Sequence, residues 1–320
     1  MKKSLFTLGA CLASLWGTAQ TNVTLTVNPL SITKTVPDDY IGMSHEMSDI
    51  GQTGNVYFDS SNTILVNYHQ TMGVKSWRIG ANLVDYSKWF RGPRTSATAK
   101  GTLTTTDVDK FFGFIQKINA KAIFGLNFAG TFDPALAADE VDYIYKNHLP
   151  YLSSFEIGNE PDFYHFHNDL KPTTYYYDQW KPQYQQYIDA IYAKVPKAPI
   201  SGPTTANDLA SFAGRYATDF KGKFNLLTHH HYGGSDRTIA GMFSSTERTV
   251  ITNMCNTLNG YANGAGFRMS EFGSFAGGGA AGASDVYASA LWGLDILYYM
   301  ASLNCKGINF HTANNLASPY

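Results

Sequence analysis

Apolar positions along the chain switch repeatedly between two periods. Short apolar runs at 40–44, 75–79, 122–127, 153–157, 199–203, 224–232, 266–271 and 307–311 read as strands. Between them lie longer stretches with helical spacing, at 62–72, 108–118, 134–147, 174–195, 209–220, 246–258 and 284–303. Phe111, Phe112, Ile115 and Ile118 show the pattern: they fall on one face of a 3.6-residue repeat. Gly73 is placed to close the first helix, Ser284 to cap the last, and Asp285 to sit in its first turn. Alternation at this pace predicts parallel strands joined by right-handed crossovers. Eight strands, centred near 42, 77, 125, 156, 201, 228, 269 and 309, predict a (β/α)8 TIM barrel of class α/β. An open doubly wound sheet is the alternative, but no Gly-x-Gly-x-x-Gly follows the first strand, so dinucleotide binding has no support.

Residues 22–28 alternate Val23, Leu25 and Val27 with threonines, a strand that Pro29 ends before the barrel begins. This strand needs another sheet, and the chain stops just after the eighth strand. Both point to a C-terminally truncated barrel that lacks its last helix and a β-sandwich domain. The expected organisation is a leader over 1–19, a strand segment of that accessory domain over 20–38, and the catalytic barrel over 39–320.

The leader assignment comes from Met1-Lys2-Lys3, an apolar run to Trp16, and small residues up to Ala19. It implies secretion, extracellular or periplasmic. Lipoprotein processing at Cys11 ranks second, because apolar residues continue past it. No run is long enough for a membrane span. With Lys2 and Lys3 removed the balance is 22 basic against 25 acidic residues, without a basic block, which argues against nucleic acid or a densely sulfated polymer. Cys255 and Cys305 remain, either as a disulfide or as two buried thiols. The one sequon is Asn22-Val23-Thr24. Tyr and Phe number 21 and 20, a composition suited to stacking sugar rings as well as to ordinary cores.

The fourth predicted strand runs into Asn159-Glu160-Pro161. Pro161 has no N–H for a ladder and pushes Glu160 away from helical geometry, so the strand ends there. That leaves an amide and a carboxyl side by side at the barrel end where active sites form. The pair suits glycosyl transfer: the acid protonates a leaving oxygen while the amide meets a sugar hydroxyl. A solvated turn would look similar, and the deciding feature is a second carboxylate. Glu271 closes the seventh strand as Glu160 closes the fourth, so the two face each other across the mouth. Glu160 is assigned general acid/base and Glu271 nucleophile; the competing reading pairs Glu271 with Arg268 on the rim. Carboxyls ~5–5.5 Å apart would mean retention and ~6.5–9.5 Å inversion.

Asn-Glu-Pro after strand four with a Glu ending strand seven resembles the clan A glycoside hydrolases. Ser270–Gly279, Ser284–Trp292 and Gly307–His311 look more specifically like glycoside hydrolase family 79, which holds β-glucuronidases and heparanase. Tyr40–Glu46 and Arg78–Asn82 fit that family's early strands. The resemblance implies cleavage of β-linked glucuronic acid with retention, through a covalent glycosyl-enzyme and with no cofactor or metal. It also implies that Gly277 and Gly278 present backbone N–H groups to the sugar carboxylate, although a flexible tether is the plainer reading of those glycines. Family members usually carry a Tyr just before the glycines, whereas this chain has Ala276. Neutral sugars, or carbohydrate binding without catalysis, are therefore the alternatives.

His229-His230-His231 cannot converge on one metal, because strand side chains alternate faces. His230 and Tyr232 are expected to face the pocket, with Tyr232 hydrogen-bonding Glu271. Glu46 matches a family position that contacts sugar hydroxyls, or forms a rim ion pair. Arg78 either orients Glu271 or pairs with Glu156. Asn309 and His311 are expected to point into the mouth from strand eight, and Tyr175–Tyr177 to pack on a helix face.

Overall fold

The computed structural model describes residues 34–51, 57–234 and 236–312, with isolated positions between 24 and 32. The leader with Cys11, Asn22 of the sequon, the apolar positions Val23, Leu25 and Val27 of the 22–28 strand, and the residues after 312 lie outside the described residues. The unit beginning at Val36 contains everything discussed below.

Eight parallel strands close into a barrel: β1 (Ile41–Glu46), β2 (Ser76–Gly80), β3 (Lys121–Leu126), β4 (Leu152–Ile157), β5 (Ile200–Thr205), β6 (Leu226–Tyr232), β7 (Phe267–Gly273) and β8 (Ile308–His311). Each pairs with its neighbours in sequence, and β8 returns to β1. Helices α1 (Thr63–Met72), α2 (Thr105–Lys117), α3 (Pro134–His148), α4 (Tyr177–Lys194), α5 (Arg215–Asp219), α6 (Ser245–Ala262) and α7 (Tyr287–Ser302) follow successive strands. Local chemistry sets their ends. The Asn62 side chain accepts from the Leu65 N–H to start α1, and Gly73 at φ 68° closes it. Thr104 and Asp107 cap α2 reciprocally. No helix among the described residues is long and apolar enough to cross a membrane.

The hydrophobic core lies between barrel and helices, where Trp77, Ile79, Phe155, Ile157, Leu227, Met269 and Ile308 are buried against helix side chains. The alternate positions point into the barrel and are polar or small: Ser44 on β1, Ser76 and Arg78 on β2, Ser154 and Glu156 on β4, Thr228 and His230 on β6, Arg268 and Glu271 on β7, Asn309 on β8. Strict alternation cannot place both Arg268 and Glu271 inside, since they differ by three. A β-bulge resolves it. Across β6 the register steps from His229↔Met269 to His230↔Glu271, and across β8 from Ile308↔Met269 to Phe310↔Phe272. One residue is therefore inserted at Ser270–Glu271, which re-aims Glu271 inward.

The expected start of the last helix needs correction. Ser284 does not cap the last helix, which starts at Tyr287 behind Val286. Its hydroxyl is instead shared with Ser274 (2.7 Å) and the Ala280 N–H (2.9 Å), closing the glycine loop, and Asp285 accepts from the Gly282 N–H. The 209–220 stretch is helical as expected, a π-helical segment over Leu209–Gly214 running directly into the short α5. A small two-stranded parallel sheet, Lys88–Phe90 with Thr102–Thr104, lies between β2 and α2. Cys255 and Cys305 are buried free thiols, which resolves that pair.

Candidate active site

At the C-terminal end of the strands lies a cavity of about 890 Å³, lined by Glu46, Asn82, Glu160, His230, Tyr232, Glu271, Gly277 and His311 among others. Glu160 sits at the turn after β4 in the left-handed region (φ 47°, ψ 56°), which is costly for a residue with a Cβ. Pro161 was expected to keep it out of helical geometry, and the left-handed turn does so. The surroundings account for it. The Glu160 N–H donates to the Thr204 carbonyl (3.0 Å), and the Asn159 N–H donates to the Tyr164 hydroxyl (3.0 Å). Two buried aspartates brace the same turn. Asp85 accepts from the Tyr164 hydroxyl (2.8 Å) and from the Phe128 and Ala129 N–H groups (2.8 and 2.7 Å). Asp162 accepts from the Ala206, Asn207 and Asp208 N–H groups. Neither was singled out in the sequence, because their partners lie far away along the chain.

A Glu160 carboxylate oxygen, a His230 ring nitrogen and a Glu271 carboxylate oxygen all lie within 4.8 Å of one another. His230 Nδ1 is 2.9 Å from Glu160 Oε1 and 4.0 Å from Glu271 Oε2. Such a trio could hold a cation, but Arg78 Nη1 already donates to Glu271 Oε2 at 2.6 Å and sets a fixed positive charge there. Tyr232 donates to Glu271 Oε1 at 2.6 Å. Burial alone would raise the Glu271 pKa. His311, His230, Arg78 and the Tyr232 hydroxyl more than reverse that and hold it well below the usual carboxylate range. Burial likewise works against the Arg78 charge, and the Glu156 and Glu271 carboxylates overcome it, so its pKa is raised. Glu271 is thus ionised at neutral pH.

Arg78 does both of the things left open for it. Nε donates to Glu156 (2.9 Å), Nη1 to Glu271, and Nη2 to Asn159 Oδ1 (2.7 Å). Asn159 in turn donates to Asn82 Oδ1 (3.0 Å), and it is Asn82 rather than Asn159 that lines the cavity. Glu46 lines it too and accepts from the Leu83 N–H (2.8 Å); burial lifts its pKa to about 7, with that N–H opposing and the Glu271 charge adding. The three histidines part company as strand alternation requires. All three border the cavity, but each bonds a different group: His230 Glu160 (2.9 Å), His229 Thr205 (2.8 Å) and His231 Glu247 (2.7 Å). Tyr175 and Tyr177 are buried, while Tyr176 is exposed.

Ala276 and Gly277 form part of the cavity wall, with Gly278 one residue beyond. Gly277, Gly278 and Gly279 all have positive φ (69°, 89°, 78°), a run that only glycine adopts without strain. Arg237 secures this loop by donating to the Ala276 (2.9 Å) and Gly279 carbonyls. Asn309 does not reach the mouth. It is fully buried one layer deeper, accepting from Arg268 Nε (2.6 Å) and donating to the Met43 carbonyl (3.0 Å). Arg268 is committed there as well, so it is no rim partner for Glu271. His311, two residues on, lines the cavity as expected and lies 3.8 Å from Glu271 Oε2.

No protein-family model matches this chain, and no curated protein matches it. Solved structures do. A 4-O-α-L-rhamnosyl-β-D-glucuronidase from Fusarium oxysporum 12S aligns with TM-score 0.69 and 15% identity over 90% of this chain and 65% of its own. A family 51 α-L-arabinofuranosidase from Bifidobacterium longum aligns with TM-score 0.62 and 15% identity over 87% and 67%. A GH39 β-xylosidase from Caulobacter crescentus aligns with TM-score 0.59 and 14% identity over 87% and 63%. The chain spans less than two thirds of the first and third of these proteins. At such identities the likeness carries the fold, a parallel barrel that these glycoside hydrolases share.

Proposed function

We propose that this protein is a retaining glycoside hydrolase that releases β-linked glucuronic acid, with Glu160 as general acid/base and Glu271 as nucleophile. The observation that carries the proposal is the pair of carboxylates facing each other within 4.8 Å, one of them held ionised by Arg78 and Tyr232. That close approach of their oxygens supports retention, for which carboxyls ~5–5.5 Å apart are typical, over inversion at ~6.5–9.5 Å. In the first step a Glu271 oxygen bonds the anomeric carbon while the bond to the leaving oxygen breaks, and Glu160 gives that oxygen its proton. In the second step a water gives a proton to Glu160 and attacks the anomeric carbon, which frees Glu271.

Support for a uronate comes from the glycine loop at Gly277 and from the glucuronidase among the structural neighbours. A neutral β-sugar is the second reading, favoured by Ala276 in the cavity wall and by the Glu46 carboxyl that lines the same cavity. Membership of glycoside hydrolase family 79 and export through the leader belong to the same proposal. Initial rates on aryl β-D-glucuronide and aryl β-D-glucoside, with Glu271→Gln beside wild type, test it. Glucuronide turnover that falls at least about 10⁴-fold in the variant is expected. Preference for the glucoside would overturn the uronate reading, and turnover that survives the substitution would overturn the assigned nucleophile.

A further inference from the structure

The cavity is far larger than one sugar needs; at about 890 Å³ it lies near the top of the range for sites that enclose drug-sized ligands. Its two halves differ in chemistry. Around β7, β8, β1 and β2 the wall is polar, as set out above. Beyond Glu160, the wall comes from the turn after β4, the turn after β5 and one face of α6. Its residues there include Phe163, Leu209, Val250, Asn253, Met254 and Thr257. Val250, Asn253, Met254 and Thr257 recur at helical spacing (i, i+3, i+4, i+7), so α6 offers a continuous stripe along this arm. None of the six is charged.

Stereochemistry says what lies there. A nucleophile displaces a leaving group from the opposite side, so the group that leaves from a sugar seated over Glu271 must project past Glu160, which protonates it. The arm beyond Glu160 is where that group goes. We propose that this arm is an aglycone site selective for an uncharged, apolar, ring-bearing alcohol or phenol, with α6 as its wall. The inference rests on the glycosidase reading and adds the class of aglycone to it. Phe163, Leu209, Val250 and Met254 supply apolar area, with the thioether of Met254 adapting to a ring. Asn253 and Thr257 place two neutral hydrogen-bonding groups at the same wall.

Val250 is the residue to change, because it is 45% exposed and Asp there leaves the core of α6 intact. Two measurements suffice. The first is the ratio of kcat/KM for a 4-methylumbelliferyl glycoside to that for the glycosyl fluoride of the same sugar, glucuronic acid or glucose, whichever is turned over. Fluoride is too small to reach the arm. In Val250→Asp that ratio falls about tenfold, the loss expected for one apolar side chain's contact, and Val250→Leu restores it. An unchanged ratio would overturn the proposal. The second is equilibrium binding of free 4-methylumbelliferone, followed by its fluorescence, which needs no turnover. Binding that weakens about tenfold in Val250→Asp supports the arm even if neither sugar is hydrolysed, in which case the glycosidase reading fails alone. Binding that is absent in wild type, or indifferent to the substitution, sinks the arm whatever the kinetics of the sugar.

Discussion

Two arginines are buried inside the barrel, one per end, and they differ in what surrounds them. Arg78, near the mouth, is bonded to two carboxylates, Glu156 and Glu271, and to the Asn159 amide. Arg268, one layer toward the floor, donates to the Asn309 amide oxygen and to the Asp39 carbonyl (2.6 Å), with the Asp39 carboxylate at 3.4 Å and one-third exposed. The electrostatic outcomes are opposite. Burial lowers the Arg268 pKa, with Asp39 opposing only in part, whereas the carboxylates of the mouth raise that of Arg78. The same side chain at nearly the same burial fills space and ties strands together at the floor, and fixes the charge of Glu271, the proposed nucleophile, at the mouth. Burial by itself therefore says nothing of function. The partners do.

The comparison breaks or holds first on Arg78→Met. That change leaves Glu156 and Glu271 as buried carboxylates without their cation, so a stability loss of about 3–5 kcal/mol is expected by urea denaturation. The same variant should lose about 10²–10³-fold in kcat, since a preorganised donor to the reacting carboxylate is gone. It should also move the acid limb of the pH–rate profile. His311, His230 and Arg78 keep the Glu271 pKa low; without Arg78 it rises, so activity is lost at higher pH than in wild type. Arg78→Lys keeps a positive charge, and is expected to recover most of the pH shift.

Next is Arg268→Met. It strands the Asn309 amide oxygen and the Asp39 carbonyl, for a cost of about 1–3 kcal/mol in the same denaturation experiment. Its kcat and KM should stay within about twofold of wild type, and its pH profile should not move. A pH shift like that of the mouth variant would erase the distinction between the two ends.

The smallest effect tests a buried carboxyl on α3, outside the barrel interior. Burial raises the Glu140 pKa to about 8, with Asp139 adding. Between the ordinary carboxylate range and about 8 the unfolded chain has lost a proton that the native state keeps, so this group makes stability fall as pH rises through that window. Glu140→Gln removes that slope: Tm should match wild type near pH 4 and exceed it by a few degrees at pH 8, read by thermal melts.

Much of this was legible along the chain. All eight barrel strands lie where the apolar runs placed them, because a strand buried between a barrel and its helices must be apolar on alternate positions. Glu160 and Glu271 were legible as strand-end carboxylates, and the Tyr232–Glu271 bond followed from Tyr232 and His230 sharing a face. Asn309 was placed on the right face at the wrong depth, since periodicity reports which side a residue points to but not which layer of the barrel it fills. Ser284 looked like a cap because a serine before an apolar run is the usual signal, yet its hydroxyl was drawn to Ser274 and Ala280 in the glycine loop.

What the sequence by itself determined is local: where strands and helices fall, which face each residue takes, and which two carboxyls end facing strands. Those follow from side-chain periodicity and from proline and glycine stereochemistry, which act over a few residues. What only the tertiary structure decided depends on contacts between distant segments. The bulge at Ser270–Glu271 turns Glu271 inward only because both neighbouring strands fix the register around it. Asp85 and Asp162 hold the Glu160 turn through N–H groups about forty residues away. Arg78 acquires its role only when β2, β4 and β7 close around it, because a charge takes its pKa and its partners from the groups that folding brings within a few ångströms.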